Sequence, residues 1–311
     1  MYALPTPDYT TKAKYRAAFE QVNDEARTQV LQEFLPILMN RYRKLLIGPP
    51  RDYEARIGEA DVLLQSLQKD GCVLARIGAD AKASLSALVL PVAEEMESRL
   101  ATVEWAGFKE RQLKFEPDSD AKIFSQVDEV LAAGHIYDVC AAYARRPIKL
   151  ARLALQVNTD RLTAMKYGTI GEDGLPSPVT RYFHIDSDGW PWLKVLIYLE
   201  PVGPDQGPFR YVVGSHRWTD PFELAIRKTT EKMRLDAKSF AALPEPFRLK
   251  AEFGDETDPA TPKAERLLKA ERALCDGESD LILFDNNGVH RGGFVRKGRR
   301  YMLQCAFDPA S

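Results

Sequence analysis

The sequence predicts a mainly β domain with flanking helices, and its run lengths and punctuation carry that prediction. From about residue 151 to 213, LARLALQV, RLTAMKYG, RYFHID, WLKVLIYLE and FRYVV are short runs separated by Gly, Pro, Asp and Asn. No helical pattern lies between them, so the strands pair antiparallel rather than as βαβ units. Strand character returns in SDLILFD and RRYMLQCAF near the end of the chain. One β-rich barrel or sandwich accounts for these runs, with helices in front of it.

The helices come first. Over residues 10 to 47, Phe19, Val22, Val30, Phe34, Leu38 and Leu45 recur at helical intervals among many charges, and IGPP ends the segment. A second helix is expected over 53 to 68, stopping at the turn signal QKDG. The pattern then shortens to a strand at 71 to 77, GCVLARI. Asp80 is placed to cap a following helix whose Leu85, Leu88, Val89, Val92, Met96 and Leu100 share one face. Residues 101 to 150 read as short helices and loops. Residues 217 to 276 break the β texture with charged, helix-like sequence and Pro-rich joints. An insertion of that length serves either as a lid over a site or as a helical pair shielding a sheet edge. The expected organisation is an N-terminal helical extension over 1–64 and a β domain over 65–311 that carries the insertion 217–276.

Composition narrows the function. The 311 residues are 45% hydrophobic and 28% charged, which suits a soluble globular protein with a large core. A net charge of -2 argues against a nucleic-acid partner, which calls for a basic face. No apolar run approaches a membrane span, and MYALPTPDYTTKAKYR lacks the apolar centre of a secretory signal. Cys72, Cys140, Cys275 and Cys305 are scattered and read as thiols in a reducing compartment, so a cytoplasmic protein is expected.

Chemistry concentrates around RYFHID. Alternate strand residues share a face, so Tyr182, His184 and Asp186 point together. An imidazole beside a carboxylate can chelate a divalent cation. The chain has only four histidines, and His290, in SDLILFDNNGVHRGG, follows a buried-looking strand and a turn. It can meet the first pair from across a barrel. Two histidines and one carboxylate leave open coordination positions, as in non-haem Fe(II) oxygenases, whereas structural zinc needs a fourth protein ligand. Ten residues past His290, Arg300 begins a strand on which Arg300, Met302, Gln304 and Ala306 share a side. A buried guanidinium beside a metal site suits a carboxylate; the alternative is a surface residue of the basic cluster RKGRR.

The order HxD, then GPFRYVVGSH, then a distal His and an Arg, resembles the phytanoyl-CoA dioxygenase family of Fe(II)- and 2-oxoglutarate-dependent oxygenases. KVLIYLEPVGPDQGPFRYVVGSHRW, QKDGCVLARI with its helix, AMKYG and RRYMLQCAF resemble further family segments, over roughly residues 65–216 and 277–308. The resemblance implies a double-stranded β-helix, a jelly-roll of cupin-like form. It implies that His184, Asp186 and His290 ligate iron and that Arg300 holds the distal carboxylate of 2-oxoglutarate. It also implies a dioxygenase that uses dioxygen to hydroxylate a small organic substrate, releasing succinate and CO2. Related halogenases have Gly or Ala in place of Asp186, so the carboxylate favours hydroxylation. Leu196 stands where many members have Trp, and Gly292 where Ser is frequent. A non-catalytic β-helix protein that binds a ligand is the alternative.

Other residues have plainer roles. His216 and His135 are read as structural. Lys194 and Lys166 sit in apolar strand patterns, and a strand-edge lysine with its stem on apolar surface is favoured over an anion contact. Asp188 is a second choice for the carboxylate ligand. Trp190 and Trp192 line either the substrate or the core.

Overall fold

The computed structural model describes residues 13–22, 24–46, 60–103, 110–162, 183–186, 193–233, 237–251, 262–275 and 281–310. Within them the chain is mixed α/β rather than mainly β. It builds two antiparallel sheets, and no closed barrel forms among the described residues. The larger sheet has six strands in the order β1-β7-β4-β9-β3-β2. These are β1 (Cys72–Ala75), β2 (Gln112–Phe115), β3 (Ile148–Thr159), β4 (Leu193–Tyr198), β7 (Leu281–Asp285) and β9 (Arg299–Pro309). The smaller sheet orders β6 (Glu271–Leu274), β5 (Phe209–Val212) and β8 (His290–Arg291).

Period-two alternation sorts the faces of the larger sheet. Leu153, Leu155 and Val157 of β3, Val195 and Ile197 of β4, and Leu303, Cys305 and Phe307 of β9 pack on helices. Those helices are α3 (Asp61–Asp70), α4 (Ala79–Ala101), α5 (Ala121–Ala133) and α6 (Ile136–Ala144). They contribute Leu67, Leu85, Val89, Val130 and Val139, all fully buried. At roughly 1.5–3 kcal/mol for each large apolar side chain buried, this layer is the main stabilising core. The helices enlarge the α share beyond what the β-like texture suggested. On the opposite face Leu196, Tyr198, Ile282, Phe284 and Met302 meet Phe209, Tyr211 and Leu274 of the smaller sheet. The two sheets therefore share a second core, and the site lies where that layer opens.

At the N-terminus the single helix expected over 10–47 divides into α1 (Ala13–Glu20) and α2 (Glu25–Leu46). Asp24 accepts a hydrogen bond from the Ala26 amide and starts the second helix. Their buried Tyr15, Phe34 and Leu38 pack on Phe222, Ile226 and Phe247 of the insertion. The insertion supplies α7 (Pro221–Met233), α8 (Ala237–Ala242) and α9 (Pro262–Ala270).

Several local expectations are corrected. Helix α3 runs to Asp70, and Gly71 terminates it at φ 78°. Helix α4 begins at Ala79 with Gly78 at its N-cap, so Asp80 sits in the first turn instead of capping. QLKF forms β2, where loops or helices were expected. ERAL, at the end of the helix-like run, is strand β6: Leu274 turns inward and Glu271 binds Arg210 of adjacent β5 and Arg291 of β8. In RLTAMKYG, Arg161 and Leu162 are helical instead of extended, and TAMKYG lies outside the described residues.

Candidate active site

His184 and His290 belong to different chain segments, and the backbone joins them directly. Each amide donates to the other's carbonyl at 2.9 Å, which makes an isolated antiparallel bridge. The Asp186 amide donates to the Asn286 carbonyl at 3.1 Å, so the HxD segment is held at both of its functional residues. One ligand atom from each of His184, Asp186 and His290 lies within 4.8 Å of the other two. The imidazole rings are 4.4 Å apart between centroids, and His290 Nε2 is 3.6 Å from Asp186 Oδ2. This His-Asp-His group matches the facial iron-binding motif.

The surroundings fix His290. Its Nδ1 lies 2.9 Å from the Gly288 carbonyl, so the protonated Nδ1 donates there and Nε2 faces the other ligands. Phe209, Phe284 and Tyr211 enclose the ring, with Tyr211 stacked at an interplanar angle of 7°. The loop into β8 is equally constrained. The Asp285 carboxylate accepts from the Tyr143 hydroxyl and the Asn287 amide at 2.6 and 2.8 Å. Ser215, from the Gly-Ser-His turn, accepts from the Val289 amide at 2.7 Å. At Gly288 an added Cβ would stand 1.7 Å from the Tyr211 hydroxyl, so only glycine lets the loop pass. Burial pushes the Asp285 carboxyl up from its usual value despite these donors.

Asp186 behaves in the opposite sense. Burial raises its carboxyl, but Lys194, His290 and His184 outweigh burial and hold it well below the usual carboxylate range. It is ionised, as a ligand must be. Lys194 Nζ is 2.8 Å from Asp186 Oδ2. This corrects the favoured reading of Lys194 as an edge residue: β4 is paired on both sides, and the lysine points into the site.

Arg300 is buried, 5% exposed, and donates to the Gly293 carbonyl at 3.2 Å. Its neighbour Arg299 faces away to Glu200 and Tyr301, so the strand parity expected from RRYMLQCAF holds. Arg300 and the three candidate ligands line one cavity of about 610 Å³, within the range of small-molecule sites. Leu196 and Gly292 line the same cavity. Met302, Gln304 and Ala306 also open onto it.

Arg111 and the β3 amides escaped the sequence reading. Arg111 is 1% exposed, lines the cavity and donates to Asn158 Oδ1 at 2.6 Å. Gln156 lines it too, and its side-chain oxygen accepts from Gln304. The signal was present in LALQVN, where polar residues take the cavity-facing positions of an otherwise apolar strand. Arg111 had no such signal, because QLKF was not recognised as a strand.

The remaining residues fall elsewhere. His216 Nε2 donates to the Gln68 carbonyl at the end of helix α3, at 3.2 Å, and burial lowers its pKa. His135 is the residue before α6 at φ 55°, beside Asp138. Neither lies among the His184, Asp186 and His290 group. Tyr182, Lys166, Asp188, Trp190 and Trp192 lie outside the described residues. Cys72, Cys140 and Cys305 are buried free thiols, with Cys72 pushed up to about 12 by burial. Among the described residues no helix is long and apolar enough to cross a membrane.

No family model and no curated protein matches the chain. Among solved structures it is similar to the non-heme alpha ketoglutarate dependent epimerase SnoN from nogalamycin biosynthesis, at 16% identity and TM-score 0.47, covering 82% of each chain. It is similar to EctD from S. alaskensis with 2-oxoglutarate and 5-hydroxyectoine, at 14% identity and TM-score 0.45, covering 80% of this chain and 75% of that one. AviO1 from Streptomyces viridochromogenes Tue57 is similar at 17% identity and TM-score 0.42, over 81% and 96% of the two chains.

Proposed function

We propose that the protein is an Fe(II)- and 2-oxoglutarate-dependent dioxygenase that hydroxylates a small organic substrate. The observation that carries this reading is the convergence of His184, Asp186, His290 and buried Arg300 on one cavity. The two sheets with their shared inner layer are taken as the double-stranded β-helix of such enzymes.

The donor set suits the metal. Two imidazole nitrogens and one ionised carboxylate are the facial arrangement used for Fe(II), and the cavity leaves room beside them. Bound iron with 2-oxoglutarate would supply the activation of dioxygen. The chain's own residues do the rest. Gly288 and the aromatic enclosure hold His290 with Nε2 inward, which keeps the ligand set preorganised. Arg300, buried in the same cavity, would take the distal carboxylate of 2-oxoglutarate in a two-bond grip. Leu196, Phe209 and Met302 wall the cavity with apolar surface and limit water. Helices α1 and α2 with the insertion 217–276 form a helical cap in this reading, and the insertion serves as the lid.

Succinate formation from 2-oxoglutarate in air, with added Fe(II) and no other substrate, tests the proposal. Wild type should form succinate only when Fe(II) is present, and Asp186→Ala or His290→Ala should form none. Normal succinate formation by either variant contradicts the ligand assignment.

The Lys194–Asp186 ion pair favours a second reading, a non-catalytic ligand-binding protein that keeps the fold. There the ammonium takes the place of the metal's charge beside the carboxylate. Absence of divalent-metal binding by the wild-type protein supports it against the first.

A further inference from the structure

The cavity lining is cationic from the candidate ligands to the β2–β3 side. The register of the larger sheet places Lys194, Ala306 and Arg152 side by side on β4, β9 and β3. One step along, Leu196, Gln304, Ala154 and Lys114 are side by side on β4, β9, β3 and β2. All seven of these residues line the cavity. At strand spacings of 4.7–4.9 Å, Arg152 stands roughly 10 Å across the sheet from Lys194, which itself touches Asp186. Ala306 lies between them and its short side chain leaves the floor low there, while Gln304 in the next row is drawn toward Gln156. A molecule reacting beside Asp186 would lie over that floor, with its far end at the β2–β3 side.

That far side carries Lys114 and Arg152, both exposed, and Arg111, which is 1% exposed on the turn into β2. Gln112 and Gln156 add amide groups between them. Over the described cavity lining, Arg111, Lys114, Arg152, Lys194 and Arg300 stand against Glu116 and Asp186. On the reading proposed above, a divalent metal and the dianion of 2-oxoglutarate cancel each other, so the loaded cavity keeps this surplus of positive charge. Charge held in a partly enclosed cavity raises the local concentration of counter-ions and disfavours neutral occupants.

We infer that the primary substrate is an anion, and that Arg111 with the rim pair Lys114 and Arg152 binds its carboxylate or phosphate group at the β2–β3 end of the cavity. The inference rests on the proposed oxygenase reading for the position of the reacting end, but the anion site itself can be read by binding alone. Arg111 is the orienting member, because Asn158 holds it in the wall. Lys114 and Arg152 gather the anion at the mouth, where their contribution is screened by salt.

The test is a set of calorimetric titrations of the Zn(II)-loaded full chain, saturated with 2-oxoglutarate, using benzoate, phenyl phosphate and benzamide as probes. Titration of 2-oxoglutarate itself comes first. If it does not bind, the oxygenase reading fails, while the anion site remains testable with the same probes on the metal-free protein. The expected result is that one or both anionic probes bind about tenfold or more tightly than benzamide, with the stronger of the two naming the oxyanion. Arg111→Gln should abolish that preference and leave 2-oxoglutarate affinity within about threefold. Should Arg111→Gln fail to fold, Lys114→Gln combined with Arg152→Gln changes only exposed side chains and should weaken the anionic probe several-fold, more at low salt than at high salt. Equal binding of benzamide and the anions overturns the inference. So does an Arg111→Gln protein that loses 2-oxoglutarate affinity about tenfold, since Arg111 would then serve the co-substrate.

Discussion

Asp186 Oδ2 is the most contested atom in the site. Lys194 holds it at 2.8 Å and His290 Nε2 stands 3.6 Å away, so a metal ion bound between the candidate ligands would compete with the ammonium for one oxygen. Lys194→Met should therefore tighten metal binding roughly fivefold, the equivalent of ~1 kcal/mol for an ion pair partly open to solvent. Competition calorimetry with Zn(II) measures it, and weakened binding would show that Lys194 orients the carboxylate instead. The same pair has a pH signature in the metal-free protein. Asp186 is held below the 3.8 expected for an unfolded aspartate, so its contribution to stability is fully present above that value. It is lost as pH falls through the lower folded value. The stability difference between wild type and Asp186→Asn, followed by thermal unfolding, should be constant near neutrality and shrink in acid below 3.8. A difference that grows toward acid would have the wrong sign. Arg300→Gln should chiefly raise the 2-oxoglutarate concentration required, and unchanged affinity would make Arg300 a structural residue only.

At the scale of elements, the loop from Asp285 to β8 sets the position of His290. Gly288→Ala drives a methyl group into the Tyr211 hydroxyl, and the loop must move. Such a conflict costs about 1–3 kcal/mol in stability and should lower metal affinity as well. Normal metal affinity in a folded Gly288→Ala protein would show that the loop does not control the ligand. This level also shows what the sequence could express. The strand leading to His290 and the strand carrying Arg300 were legible because SDLILFD and RRYMLQCAF are apolar runs of strand length. HxD was legible from its spacing. QLKF and ERAL were not, since each is only four residues long and ERAL continues an unbroken charged helical pattern. Lys194 was misjudged because chain texture does not distinguish an edge strand from one paired on both sides.

At the scale of the molecule, two layers of different character meet at the cavity. The α3–α6 helices and the outer face of the larger sheet form a conventional apolar core, whereas the inner face exchanges apolar residues for amides and cations toward β2 and β3. Helices α1 and α2 are anchored by Tyr15, Phe34 and Leu38 on the insertion, so these distant parts of the chain form one hydrophobic cluster. Phe34→Ala should cost roughly 3–5 kcal/mol if the cluster unfolds with the rest. Chemical denaturation followed by tryptophan fluorescence checks this. A much smaller loss would mean that the cluster melts separately.

In the proposed function, His184, Asp186 and His290 hold Fe(II) for 2-oxoglutarate-dependent chemistry. Its most direct test is anaerobic Fe(II) binding followed by 2-oxoglutarate addition and admission of air, with succinate measured in wild type and His290→Ala. The expected result is one Fe(II) per wild-type chain, succinate that requires both iron and 2-oxoglutarate, and neither property in the variant. A wild-type protein that takes up no iron, or a variant that still makes succinate, would contradict it.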